Sequence, residues 1–136
     1  MSDAAELHRA VFDAIQRRDV DALRGLFTSE SIHTSSDGEP VTGPEPVVAE
    51  VQGFVDAFPD LTIDIRHHHV PDSSCSIIEY TFSGTHSGHL EGIPPTGKPV
   101  VVAACSVLEA DDGVIRRESD YYDTMAMLGQ LGVAPP

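Results

Sequence analysis

The sequence predicts an α+β fold, with three helices in the first half of the chain and an antiparallel sheet in the second. Two observations predict it. Apolar residues recur at helical spacing as far as Pro59 and then switch to a spacing of two from Leu61 onward. Four strand-like runs then follow one another, which makes a meander with the helices packed on one face. At 136 residues, without internal repeat, linker or low-complexity segment, residues 1–136 are expected to form one domain.

The first helix is expected over Asp3–Arg18, where Leu7, Ala10, Val11, Ala14 and Ile15 share a face and Asp3 followed by Glu6 resembles a capping pair. Asp19 can cap a short second helix, DALRGLF, which places Leu23, Leu26 and Phe27 on one side. The segment TSESIHTSSDGEPVTG is rich in turn formers and leaves room for one short strand around Ile32 and His33. Pro44 or Pro46 opens the third helix, whose stripe Val47, Val48, Val51, Phe54, Val55 and Phe58 stops before Pro59. LTIDIRHHHV and CSIIEYTFSG then alternate through Leu61, Ile63, Ile65 and Ile78, Tyr80, Phe82. VVVAACSVLEA and VIRRESDYY are joined by the turn Ala110–Gly113.

Composition narrows the function. Eight Lys and Arg against 22 Asp and Glu give a net charge of −14, so a phosphate backbone or an anionic lipid surface is repelled and no nucleic-acid or membrane partner is expected. No apolar run reaches the roughly 18 residues of a membrane span, and the N-terminus lacks a signal-peptide pattern, so a cytoplasmic protein is expected. Cys75 and Cys105 have no metal or redox spacing and read as small buried hydrophobes. Of His67, His68 and His69, only the outer two can face the same way on a strand. That makes a solvated edge the expectation there, even with His86 and His89 as further ligands, and no metal is expected. Met125 and Met127 read as core or dimer-edge packing.

Asp120 lies near the end of the last strand. A carboxylate there that faces an apolar cavity between sheet and helices is a proton shuttle, because burial or a neighbouring carboxylate raises its proton affinity. Glu118, two residues earlier, shares strand parity with it and is a candidate partner in a coupled carboxyl pair. The alternative is that Arg116 or Arg117 pairs with both acids on a solvated face.

The segments AFPDLTIDI, YTFSGTHSGHLEGIPPTGKPV and DGVIRRESDYYDTMAMLGQLG resemble the SnoaL-like polyketide cyclases of the nuclear-transport-factor-2-like superfamily over roughly residues 54–132. The resemblance implies a cone-shaped barrel, in which a curved, mostly antiparallel sheet wraps around the N-terminal helices and encloses an apolar pocket. It also implies a homodimer and a cofactor-independent intramolecular ring closure on a small apolar or polycyclic carbonyl substrate. Asp120 matches the family's catalytic carboxylate by its distance from the DG turn and from LGQLG. Family members commonly carry His and Trp just before that Asp, whereas Glu118 and Ser119 stand here. His33, brought toward the pocket by such a fold, is the third catalytic candidate. Phe54, Phe58, Tyr80, Phe82, His86 and Tyr122 are candidates for substrate binding, with a turn-stabilising role the competing reading for His86. Isomerisation, epoxide hydrolysis and non-catalytic binding are the alternatives within the same fold.

Overall fold

The computed structural model describes residues 3–36 and 38–133. Helix α1 (Ala4–Gln16) starts where Asp3 Oδ1 accepts the Glu6 N–H at 2.9 Å, and α2 (Val20–Leu26) where Asp19 Oδ1 accepts that of Ala22 at 3.0 Å. Helix α3 (Pro44–Ala57) opens on a proline, where a missing N–H costs nothing. A fourth helix, α4 (Thr124–Leu131), follows the last strand, where the sequence reading placed none. Asp123 caps it at Ala126, and Gly132, at φ 73°, adopts the left-handed conformation that ends it. Met127 is buried there, while Met125 is 62% exposed.

The strands are β1 (Ile32–Ser35), β2 (Val41–Thr42), β3 (Thr62–Asp72), β4 (Cys75–Thr85), β5 (Pro99–Asp111) and β6 (Val114–Tyr122). They form one six-stranded sheet in the order β2-β1-β6-β5-β4-β3, with β1 parallel to β6 and every other pair antiparallel. The sheet stays open at β2 and β3 and curls around the helices, aided by extra residues in two strands.

One of these bulges decides the chemistry. In β6, Ile115 pairs with Ala110 and Arg117 with Glu109, so Arg116 is an inserted residue. Simple alternation from the buried Ile115 would turn Glu118 and Asp120 outward. The bulge flips the parity, so that Glu118, Asp120 and Tyr122 face the helices. The solvated pairing of these acids with Arg116 or Arg117 is therefore corrected. Arg117 instead reaches Glu109 on the outer face, at 3.4 Å. A second bulge, at Arg66 in β3, turns His68 inward and leaves His67 and His69 outside, where His69 bonds Glu79 at 2.5 Å.

Two apolar clusters fill the space between sheet and helices. One is built on Val11, Leu23, Ile78, Leu108 and Ile115, the other on Phe58, Phe82, Val102, Met127 and Leu131, and Ile63 and Tyr80 pack against both. Cys75 and Cys105 are free thiols, only half-buried because both lie on the outer sheet face, which corrects their expected place in the core.

Candidate functional site

The site is made where β1 joins β6. The parallel register sets His33 beside Glu118 and Ser35 beside Asp120, and α3 brings Glu50 across from the helical layer. His33 Nδ1 lies 2.6 Å from Glu118 Oε1, and its Nε2 lies 2.6 Å from Glu50 Oε2. Both ring nitrogens thus face carboxylates, which accept but do not donate when ionised, so His33 is an imidazolium that donates twice. Burial opposes that charge, but the hydrogen bonds and charges of Glu118 and Glu50 outweigh it and push the His33 pKa up to about 10. Ser35 Oγ donates to the other oxygen of Glu50.

Glu118 is 3% exposed. Burial disfavours its charge, but hydrogen bonds from His33, Asp120 and Ser106 more than compensate and hold it below the usual carboxylate range. Ser106 Oγ donates to Glu118 Oε2 at 2.7 Å. Asp120 is its opposite. It opens onto the pocket and is otherwise enclosed by protein, and burial, followed by the charge of Glu118 and the hydrogen bond to it, drives its proton affinity well above the ordinary. Within the coupled pair Asp120 is therefore the stronger holder of a proton and Glu118 the weaker, the two joined by a hydrogen bond.

The pocket is a cavity of about 90 Å³, walled by Val11, Phe12, Val51 and Ile63 and by the rings of Phe54, Tyr80, Phe82 and Tyr122. It adjoins an outer cleft of about 420 Å³ between α3 and the Leu90 loop, and His33, Glu50, Phe54 and Tyr122 line both. Among the described residues none hydrogen-bonds the Tyr80 hydroxyl. Burial, then the charges of Asp120, Glu118 and Glu50, push its pKa up, so it stays a donor.

Of the sequence candidates, Asp120, Glu118 and His33 come together, and Phe54, Tyr80, Phe82 and Tyr122 line the cavity around them. Phe58 and His86 do not line it, which corrects their assignment to substrate binding. Phe58 is fully buried behind Phe54, and His86 braces a loop, with its N–H bonded to Lys98 O, its O to the Gly97 N–H and its Nδ1 to the Thr96 N–H. Glu50 is missing from the sequence candidates, although a carboxylate sitting three residues after Val47 and four before Phe54, inside the apolar stripe, marks it. Among the described residues, His33, Glu118 and Asp120 are also the group that could offer a metal three ligand atoms within 4.8 Å of one another. Here those atoms are committed to one another and to neighbouring hydrogen bonds.

An open, curved α+β sheet that encloses a coupled carboxyl pair in an apolar pocket defines a class of pocket proteins. The sequence model of the SnoaL-like polyketide cyclases matches residues 5–131, and the chain belongs to that family. Solved structures agree on the fold. A candidate SnoaL-like polyketide cyclase from Jannaschia sp. CCS1 superposes with a TM-score of 0.86 at 22% identity, over 98% of this chain and 93% of that one. IdmH, a candidate polyketide cyclase from Streptomyces antibioticus, gives 0.80 at 24% identity over 96% and 99%. An LEH-like epoxide hydrolase from M. tuberculosis gives 0.70 at 19% identity over 94% and 88%. None of the curated proteins matches the chain. No helix among the described residues is long and apolar enough to cross a membrane.

Proposed function

We propose that this protein is a cofactor-independent acid/base catalyst that closes a ring within a small carbonyl-containing molecule. The observation that carries the reading is the Asp120–Glu118 pair at the wall of an apolar cavity, where burial and the charge of Glu118 raise the proton affinity of Asp120. A carboxyl group of raised pKa is a strong base once deprotonated, and a donor to a carbonyl or alkoxide oxygen when it holds its proton. Once Asp120 has given up its own proton, its carboxylate takes the proton next to the carbonyl and returns it to the oxygen formed as the new carbon–carbon bond closes. Tyr80 donates to the same oxygen, while Glu118, fixed by His33 and Ser106, sets the proton affinity of Asp120.

The size of the cavity shapes the substrate. About 90 Å³ admits the reacting end of a molecule rather than a polycycle, and the remainder extends past Phe54 and Tyr122 into the outer cleft. Among the cavity's lining residues there is no arginine, so the Asp–Arg–Asp set of a water-adding epoxide hydrolase is not assembled, and His33 is the cation instead.

Asp120→Asn keeps the shape and removes the shuttle. On a substrate found by screening small carbonyl compounds, turnover should fall by about 10²- to 10⁴-fold while the variant stays folded and melts no lower than the wild type. Full activity in that variant would end the reading. In the wild type, kcat/KM should rise with pH until Asp120 titrates and then level off.

A further inference from the structure

A second buried polar feature leads away from the pocket, and the chemistry above does not use it. His8, on α1, is fully buried, with Nδ1 2.8 Å from Ser76 Oγ and Nε2 2.8 Å from Ser106 Oγ. Ser76 Oγ is also 2.7 Å from Nε2 of His68, which is half-buried on β3 at the edge of the sheet. Ser106 Oγ completes the line at Glu118 Oε2, 2.7 Å away. The result is an unbroken row of four hydrogen bonds from an edge strand through α1, β4 and β5 to β6.

The direction of each bond follows from counting protons. Glu118, held ionised, only accepts, so the single hydroxyl proton of Ser106 points at it. Ser106 must then accept from His8 Nε2–H. A neutral His8 therefore has a bare Nδ1, which accepts the hydroxyl proton of Ser76, and Ser76 in turn accepts from His68 Nε2–H. Burial keeps His8 neutral by lowering its pKa to about 4, helped by His68 and opposed by Glu118. His68 is likewise held low, by burial first and then by the charges of Arg9 and His69. Every donor in the row points toward the carboxyl pair.

We propose that His68, Ser76, His8 and Ser106 form a proton relay joining bulk water at the sheet edge to the Glu118–Asp120 pair. The relay rests on the acid/base reading of that pair for its purpose, since a ligand in the cavity would separate the pair from water. The transfer balances. His68 Nδ1 takes a proton from water while its Nε2 proton passes to Ser76, that of Ser76 to His8 Nδ1, that of His8 Nε2 to Ser106, and that of Ser106 to Glu118. No heavy-atom bond changes, each relay group is neutral before and after, and one proton has moved from water to a carboxylate. The reverse sequence restores the original tautomers. His8 is thus a positioning and relay residue, without contact to a ligand in the cavity.

The test needs no turnover, but it is run with the cavity filled by a saturating ketone probe, cyclohexanone, so that water reaches the pair only through the relay. In the whole protein, ¹⁵N resonances of the histidine rings should show His8 and His68 with the proton on Nε2 and a bare Nδ1. Exchange with water of the downfield proton shared by Asp120 and Glu118 should slow at least tenfold in Ser76→Ala, which leaves the Ser106–Glu118 bond in place, and recover in Ser76→Thr. If Ser76→Ala does not fold, His68→Phe, placed at the half-exposed mouth, serves the same comparison. A proton on His8 Nδ1, or an unchanged exchange rate, overturns the relay, as does a shared proton that exchanges too fast to see in every variant. The readout is independent of turnover, so failure of the catalytic reading, full activity in Asp120→Asn, is a separate result.

Discussion

At the scale of single residues, His33 and Asp120 carry opposite obligations. His33 compensates two carboxylates at once, and both its side chain and that of Glu118 are nearly inaccessible, at 5% and 3%. His33→Gln strands Glu118 as an unpaired buried charge and should cost about 3 to 5 kcal/mol in denaturant unfolding, as removal of one partner from a buried pair does. Glu50→Gln should cost less, since Glu50 is 28% exposed and water can replace part of the interaction. Asp120 is the reverse case. Its folded pKa lies above the unfolded value, so from about pH 3.9 upward the folded protein loses stability until Asp120 itself ionises. Asp120→Asn removes that penalty, and its melting temperature at pH 8 should exceed that of the wild type, even as the acid/base group is lost. A lower melting temperature would show that the carboxyl is not strained by its neighbours.

At the scale of elements, the motif GTHSG is a latch between sheet and helix. The Ser87 and Gly88 N–H groups both bond Ala57 O at the end of α3, and a Cβ on Gly88 would sit 2.0 Å from Asp56 O. Gly88→Ala must push the loop off the helix, at a cost of about 1 to 3 kcal/mol measured by chemical denaturation. An unchanged midpoint would mean the loop is not held there. A similar device ends the chain. Gln130 of α4 accepts from the Val101 N–H at 2.7 Å and donates to Val101 O at 2.9 Å, which satisfies the edge of β5 beyond the reach of β6. These contacts explain why GTHSG and LGQLG stand out in the sequence without touching the cavity.

At the scale of the whole molecule, the two buried histidines pull stability in opposite directions with pH. His33, raised to about 10, contributes fully below its ordinary value of 6.5, and that contribution drains away as pH climbs toward 10. His8, lowered to about 4, must stay neutral in the fold, so stability falls as pH drops from 6.5 toward 4. The summed contribution of the two histidines to the melting temperature should therefore be largest near pH 6.5, with the Asp120 penalty superimposed on it. In His8→Gln the acid limb should flatten while the alkaline limb persists, and a profile with both limbs unchanged would remove His8 from the account.

The sequence alone determined the order of the first three helices and the four long strands, the caps at Asp3 and Asp19, the family resemblance, and the shared spacing of Glu118 and Asp120 on the last strand. Those signals are local, because periodicity, capping and turn chemistry act over a few residues. It did not determine which way the last strand faces. That depends on one inserted residue, Arg116, which is recognised only when β6 is paired against β5. Nor could it place Glu50 opposite His33, or His8 between two serines 68 and 98 residues away, or remove Phe58 and His86 from the cavity. Those arrangements are made by packing α1 and α3 onto the sheet. Charge states, tautomers and the ownership of the shared proton arise there, because they depend on what surrounds a group in space rather than along the chain.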